Sequence, residues 1–147
     1  MTTRADIVAT ARSYKGTPFH HMERKPGLGM DCAGVLICCA RDLGLVPQAF
    51  DVPAYIKRPD GTSLLEWCRR YMGAEVSQRD LLPGHAILAA IGPDPAHLGV
   101  VGDYRHGGLS IIHASNMPER MRVIETRLMF TRVLKFTAGF NFPQVTD

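Results

Sequence analysis

Cys32 is the side chain of this sequence that is best placed to act as a nucleophile. The pattern predicts a helix with Asp31 as its N-cap and Cys32 as its first residue. Free backbone N–H groups and the helix dipole favour an anion there, so we expect a lowered pKa for the thiol and a place for an oxyanion. Cys32 also begins the apolar stripe of this helix, and burial as a small hydrophobic residue is the alternative interpretation.

Two histidines lie at the ends of neighbouring predicted strands. His97 begins one apolar run and His113 ends the next. In an antiparallel hairpin the start of one strand lies beside the end of the following strand, so we expect the two imidazoles to be neighbours. A cysteine, a base and a group that orients the base form the arrangement of nucleophilic catalysis, and neutral imidazole can fill the last two roles. The alternative is that each histidine is a solvent-facing or hydrogen-bonded bystander at a strand end.

The other three cysteines are interpreted as small buried hydrophobic residues. They are Cys38, Cys39 and Cys68, and no pair of cysteines has the C-x-x-C spacing of a structural zinc site. A chain of this size builds its own core, so a framework of disulfides is not predicted either. Accordingly, we expect no metal site.

Helical patterns come first in the chain and strand patterns second, which favours an α+β fold with an antiparallel sheet. Segments 19–30 and 45–59 are rich in glycine or proline and are predicted to be loops. The predicted helices are 3–15, one from Cys32 that Gly44 ends, and one that a capping box at Ser63 opens and Gly73 ends; the predicted strands are 86–91, 97–101, 109–113, 121–125 and 133–136.

Length and composition indicate one globular domain, residues 1–147. Lys and Arg number 17 against 14 Asp and Glu, and the resulting charge of +3 is too weak to predict nucleic-acid binding. No apolar run approaches the roughly 18 residues that a membrane span needs. The first residues lack the basic segment and apolar block of a signal peptide, so we expect synthesis in the cytoplasm without general secretion.

Five short motifs, in order along almost the whole chain, resemble those of the NlpC family of papain-like bacterial cell-wall cysteine peptidases. Each motif is short, but their order and spacing together are specific. The motifs are Gly16-Thr17-Pro18-Phe19, like Gly-x-Pro-Tyr in the family; Asp31-Cys32-Ala33-Gly34, like Asp-Cys-Ser-Gly; Leu82-Pro83-Gly84-His85, like Leu-x-Pro-Gly-Asp; His97-Leu98-Gly99-Val100, like His-Val-Gly-Ile; and Ile112-His113-Ala114-Ser115, like Ile-His-Ala.

The resemblance implies a papain-like fold, with N-terminal helices packed on a five- to six-stranded antiparallel sheet, and a peptidase that acts on peptidoglycan stem peptides. It implies that Cys32 attacks the amide carbonyl and that its backbone N–H contributes to the oxyanion hole. It further implies that His97 accepts the thiol proton and returns it to the leaving amine, while His113 holds His97. This chemistry needs no metal, and no cofactor is expected.

The chain is similar in particular to family members attached to phage tails and to phage-like gene transfer particles. Those members have Gly-Thr-Pro-Tyr-x-His before a glycine-rich loop and end on a strand with an aromatic-Pro tail. The resemblance implies a virion protein of the tail tip, with other tail proteins as partners, which the particle carries to the cell wall or periplasm to aid DNA delivery. The matching residues are Gly16-Thr17-Pro18-Phe19-His20-His21 and Phe140-Asn141-Phe142-Pro143.

Two departures from the family bear on the substrate. Phe19 lacks the hydroxyl of the Tyr that is usual there, and Ala33 replaces the Ser after the nucleophile. In some members these two residues and the Asp before the nucleophile clamp a free amine, and only Asp31 of that set is kept. We expect Asp31, Phe19 and His21 to contact the substrate; the alternative for His21 is a surface loop residue.

Two other functions stay open at this point. A structural tail-tip component with a weak or idle peptidase site would fit the departures at Phe19 and Ala33, whereas the intact set of Cys32, His97 and His113 weighs against it. A papain-like acyltransferase or amidase that acts on another substrate ranks last, because no acceptor pocket can be recognised in the sequence.

Overall fold

The computed structural model describes residues 1–57 and 60–147, which form three α-helices, a six-stranded antiparallel sheet and a small two-stranded sheet. The helices are α1 (Arg4–Ser13), α2 (Cys32–Asp42) and α3 (Gly61–Tyr71). The strands are β1 (Arg24–Lys25), β2 (Gly29–Met30), β3 (Glu75–Val76), β4 (Ala86–Ile91), β5 (Asp94–Asp103), β6 (Leu109–Ala114), β7 (Val123–Arg127) and β8 (Leu134–Phe140). The large sheet has the order β3-β8-β4-β5-β6-β7, and β1 pairs with β2. The predicted α+β class is confirmed.

Helix α2 is the element that places Cys32. Asp31 is its N-cap, as predicted, and the backbone N–H of Gly34 donates to Asp31 Oδ1 over 2.9 Å. Position 34 needs glycine because a Cβ there would lie 2.9 Å from the carbonyl oxygen of Glu23. The residues from Cys32 to Ala40 are all buried, so α2 is embedded in the core.

The other two helices also begin at side-chain caps. Thr3 and Asp6 form a reciprocal capping box before α1. Asp60 is the N-cap of α3 and accepts the backbone N–H of Ser63 over 2.8 Å. The predicted capping box at Ser63 is therefore wrong, because that N–H is already bonded to the preceding aspartate.

The five predicted strands are all present, with shifted ends. Strand β5 starts earlier than the predicted 97–101 because the turn before it takes up only Gly92 and Pro93, with Gly92 at a φ of +56°. The β1–β2 hairpin, inside the predicted loop 19–30, and the edge strand β3 were not predicted. Segment 45–57 forms an irregular loop as predicted, and residues 58–59 at the end of that prediction lie outside the described residues.

A β-bulge interrupts the pairing of β4 with β5. His97 pairs with Ala89, and Asp94 pairs with Ile91. Residues 95–96 of β5 therefore lie opposite the single residue Ala90 of β4. Because Ala89 and Ile91 share one face of β4, the bulge places Asp94 and His97 on one face of β5, which a regular strand would not do for residues three apart.

The large sheet separates two hydrophobic clusters. Ala86 and Leu88 of β4 belong to the cluster that contains the helices, whereas Ile87 and Ala89 belong to the cluster on the other face. Packing on the helix side fixes α2 against β5 and β6. His97 of β5 pairs with Ala89, and His113 of β6 alternates with residues of the helix-side cluster, so both histidines lie on the face of Ala89. In the described ranges, no helix combines the length and the apolar character needed to cross a bilayer.

Candidate active site

Cys32 lies where the N-terminus of α2 meets β5. Only 8% of the residue is exposed. The backbone N–H of Leu98, the residue after His97, and that of Ala33 lie near enough to its sulfur to lower the pKa of the thiol. The thiol thus lies against the strand that carries His97, among N–H groups of the kind that stabilise an anion.

The expected lowering of the Cys32 pKa is wrong for the free protein. Burial raises the pKa of this thiol to about 12, and the nearby carboxylate of Asp31 adds to the increase. The N–H groups of Leu98 and Ala33 act in the opposite direction but do not outweigh burial. Cys32 is accordingly a protonated thiol at rest, and it needs a base at the moment of attack.

The other cysteines share this buried environment. Cys38, Cys39 and Cys68 are free thiols with little exposed surface, as their interpretation as core residues requires. Burial raises the pKa of Cys38 to about 11 and that of Cys68 to about 12, and it raises the pKa of Cys39 as well. What distinguishes Cys32 is its place at a helix N-terminus, not the acidity of its thiol.

His97 and His113 lie side by side, as the hairpin argument predicts. Nε2 of His97 is 2.7 Å from Nδ1 of His113, and the two ring planes are nearly perpendicular, at 86°. Both residues are buried. Burial, and after it the neighbouring His97, lower the pKa of His113 to about 3, so His113 is a neutral ring at physiological pH.

Two polar side chains that sequence reasoning missed complete this cluster. Oδ2 of Asp94 is 3.3 Å from Nδ1 of His97, and Nδ2 of Asn116 donates to the same oxygen over 3.3 Å. The hydrogen bonds that the structure describes for the His97 ring go to Asp94 and His113, and none goes to Cys32. Asp94 and Asn116 lie in segments of turn composition, and no local pattern marks them, since the bulge in β5 is a property of strand pairing.

A cavity of about 220 Å³ opens beside the two imidazoles. His97, His113, Asp94 and Asn116 contribute to its wall. The cavity therefore gives the histidine pair, which is otherwise buried, an approach for part of a ligand.

Asp31 caps α2 with both carboxylate oxygens engaged. Oδ1 accepts hydrogen bonds from the N–H of Gly34 and from Nη1 of Arg24, the latter over 2.7 Å. Oδ2 accepts the N–H of Met22 and the hydroxyl of Tyr55. The side chains of Arg24 and Asp31 are 6% and 3% exposed, so they form a buried ion pair. Asp31 therefore stabilises the start of α2 and the loop around it. Its contact with substrate stays a prediction.

His21 lies next to this ion pair. Its Nδ1 is 4.0 Å from Asp31 Oδ2, and its Nε2 donates to the backbone carbonyl of Tyr55 over 2.9 Å. Phe19 is half-buried against the core and pairs through its backbone with Met30. Contact of either residue with substrate stays a prediction.

No model of a protein family matches the sequence, and neither does any curated protein. Solved structures do match. The NlpC/p60 domain of peptidoglycan hydrolase SagA is 20% identical with a TM-score of 0.62, and the match covers 96% of this chain and 100% of that domain. NlpC1 and NlpC2 from Trichomonas vaginalis are 15% and 16% identical with TM-scores of 0.66 and 0.64; each match covers 97% of this chain, but only 45% and 47% of those chains. The chain therefore has the α+β, papain-like fold of NlpC/p60 domains.

Proposed function

We propose that this protein is a cysteine peptidase that hydrolyses amide bonds of peptidoglycan stem peptides. The observation that supports this most is the contact of 2.7 Å between His97 Nε2 and His113 Nδ1, in which His97 belongs to the strand that lies against Cys32 at the N-terminus of α2. The fold is that of an NlpC/p60 domain, and the SagA domain of that fold belongs to a peptidoglycan hydrolase. The motifs around Cys32, His97 and His113 support cysteine catalysis as the mechanism.

In the proposed reaction, the Cys32 sulfur attacks the amide carbonyl as its proton passes to His97. The backbone N–H of Cys32 stabilises the oxyanion. When the C–N bond breaks, His97 gives the proton to the leaving amine and a thioester remains. Water then attacks the thioester, its hydroxyl goes to the carbonyl carbon, and a proton returns to the sulfur. His113, which is neutral, orients the His97 ring throughout.

The substrate contacts follow from the surroundings of Cys32. We assign Asp31, His21 and Phe19 to the side of the cleft at the N-terminus of α2. Four donors of the protein already occupy the Asp31 carboxylate, and Phe19 has no hydroxyl. The proposed substrate is therefore a stem peptide whose recognition does not depend on a free amine bound to Asp31.

The proposed setting is the tail tip of a phage or a phage-like particle. The motifs at 16–21 and 140–143 support this setting. The particle would assemble in the cytoplasm with other tail proteins and would carry the peptidase to the cell wall or periplasm, where it opens a path for DNA. Antibody labelling of particles in electron micrographs checks this part of the proposal: label at the tail tip is expected, and particles without label contradict it.

Digestion of purified peptidoglycan tests the proposed reaction directly. Incubation with the protein is expected to release peptide fragments that carry new free amino and carboxyl ends, identified by mass spectrometry. New reducing sugar ends without new peptide ends would contradict a peptidase. The second candidate function is a structural tail component with an idle site, for which neither product is expected. The high pKa of the Cys32 thiol is the observation that favours this candidate.

Replacing His97 with alanine is expected to slow this cleavage by about 10²–10⁴-fold, because the base for the Cys32 proton is lost. The measurement is the initial rate of fragment release, with circular dichroism to verify folding. His106→Ala is the matched control, since His106 is exposed at the β5–β6 turn and its loss should leave the rate unchanged. An unchanged rate for His97→Ala would assign the role of base to another residue.

A further inference from the structure

His97 is the base of the proposed reaction, and Asp94 contacts its Nδ1. Because Nε2 of the same ring faces His113, Nδ1 is the nitrogen left to accept the Cys32 proton. The bulge in β5 brings Asp94 and His97 to one face, and Oδ2 of Asp94 lies 3.3 Å from Nδ1 of His97. Asp94 is buried, with 8% of the residue exposed, so water competes little for this contact. The amide of Asn116 donates to the same oxygen and holds the carboxylate in place.

The hydrogen bonds fix where the ring proton lies. A carboxylate only accepts, so Nδ1 of His97 carries the proton in its bond to Asp94. Nε2 of His97 faces Nδ1 of His113. The proton between these two nitrogens can belong to His97 or to His113. In both cases Nδ1 of His97 stays protonated. In this arrangement neither nitrogen of His97 offers a lone pair to Cys32.

We propose that Asp94, held by Asn116, is a positioning residue that keeps the proton of His97 on Nδ1 and thereby restrains Cys32 in the free protein. This inference rests on the proposed function, since it gives His97 the role of base. In the restrained state, Nδ1 of His97 donates to Asp94, and Nδ1 of His113 donates to Nε2 of His97. In the competent state, Nε2 of His97 donates to Nδ1 of His113, whose own proton lies on Nε2, so each neutral ring still carries one proton.

The environment of the thiol agrees with this restraint. Burial raises the pKa of Cys32, and the negative charges of Asp31 and Asp94 both add to the increase. A carboxylate that rotated into the adjoining cavity would free Nδ1 of His97 and move its own charge. The space beside Asp94 and Asn116 is part of that cavity, so a substrate that enters it can displace the carboxylate.

Nitrogen NMR of the uniformly ¹⁵N-labelled wild-type protein tests the proposal without any substitution. Long-range ¹H–¹⁵N correlation distinguishes a protonated ring nitrogen from one with a lone pair. We expect a proton on Nδ1 of His97 in the wild type, and its transfer to Nε2 in Asp94→Ala. A wild-type ring with its proton on Nε2 and a bare Nδ1 would overturn the proposal, and this readout does not depend on whether the variant folds.

Alkylation of Cys32 by iodoacetamide at neutral pH provides the second readout, followed by peptide mass mapping. Asp94→Ala is expected to raise the alkylation rate by about tenfold or more, the equivalent of one hydrogen bond to a charged group. Asn116→Ala should give a smaller increase, because the carboxylate stays but is held less firmly. Asp103→Ala, at the exposed end of the same strand, is the control and should leave the rate unchanged. An unchanged or slower rate in Asp94→Ala would contradict the restraint.

Neither readout uses peptidoglycan, so the proposed function and the proposed restraint can fail separately. A protein that cleaves no peptidoglycan but shows the Nδ1 proton and the faster alkylation would lack the activity and keep the restraint. A protein that cleaves peptidoglycan with a bare Nδ1 in the wild type would keep the activity and lack the restraint.

Discussion

Replacing Cys32 with alanine is expected to lower the release of stem-peptide fragments from peptidoglycan by at least about 10⁴-fold, because the covalent route is lost with the nucleophile. The substitution removes one buried sulfur and leaves the N-cap of α2 in place, so the fold should persist. Chromatography of the soluble fragments gives the rate, and the thermal unfolding transition verifies the fold.

Cys38→Ala is the matched control for this experiment. Cys38 lies in the same helix, is buried like Cys32, and also has a thiol whose pKa burial raises. Its loss should lower stability to a similar extent and leave the cleavage rate within about twofold, as for a core residue remote from the chemistry. Activity that survives in Cys32→Ala would remove the proposed mechanism, whereas equal losses in both variants would point to an effect of packing.

Arg24→Met is expected to lower the free energy of unfolding by about 3–5 kcal/mol, because it leaves the Asp31 carboxylate buried without its cation. Methionine keeps much of the apolar stem of arginine, so the loss reports mainly on the charge. The bond from Arg24 Nη1 to Asp31 Oδ1 is 2.7 Å long, and both side chains are almost fully buried. Urea unfolding followed by tryptophan fluorescence measures the change.

Two further variants sharpen this measurement. Arg69→Met breaks the exposed pair of Arg69 with Glu75, which has the similar length of 2.8 Å, and should cost at most about 1 kcal/mol. Adding Asp31→Asn to Arg24→Met should recover part of the loss, since asparagine still caps α2 but carries no charge. A decrease in the free energy of unfolding below about 1 kcal/mol for Arg24→Met would contradict this prediction. It would show that the remaining hydrogen-bond donors to Asp31 are enough to stabilise its buried charge.

The parts of the site that depend on local signals could be predicted from the sequence. Asp31 caps α2 and Cys32 begins it because an aspartate before an apolar stripe is a short-range signal. The contact of His97 with His113 followed from one rule about hairpins, and it needed no knowledge of the helices. The boundaries were less accurate, as at α3, where two possible caps lie close together.

The electrostatics of the site could not be predicted in the same way. The lowered pKa expected for Cys32 came from its place at a helix N-terminus, but burial depends on how α2 packs against the sheet, and burial dominates. Arg24 reaches Asp31 from β1, and Tyr55 reaches it from the loop between α2 and α3. Asp94 contacts His97 only because of an irregular strand pairing. These are long-range or register effects, which have no counterpart in a local pattern.

The extra residue in β5 makes the link between Asp94 and His97 sensitive to chain length. Inserting one residue next to Ala90 in β4 would give residues 95 and 96 one partner each, restore a continuous ladder and turn the Asp94 side chain away from the imidazole. A single-codon insertion in β4 would therefore abolish the restraint in related chains while the nucleophile and its base stay untouched. Evolution would then have a way to adjust the latency of such an enzyme separately from its chemistry.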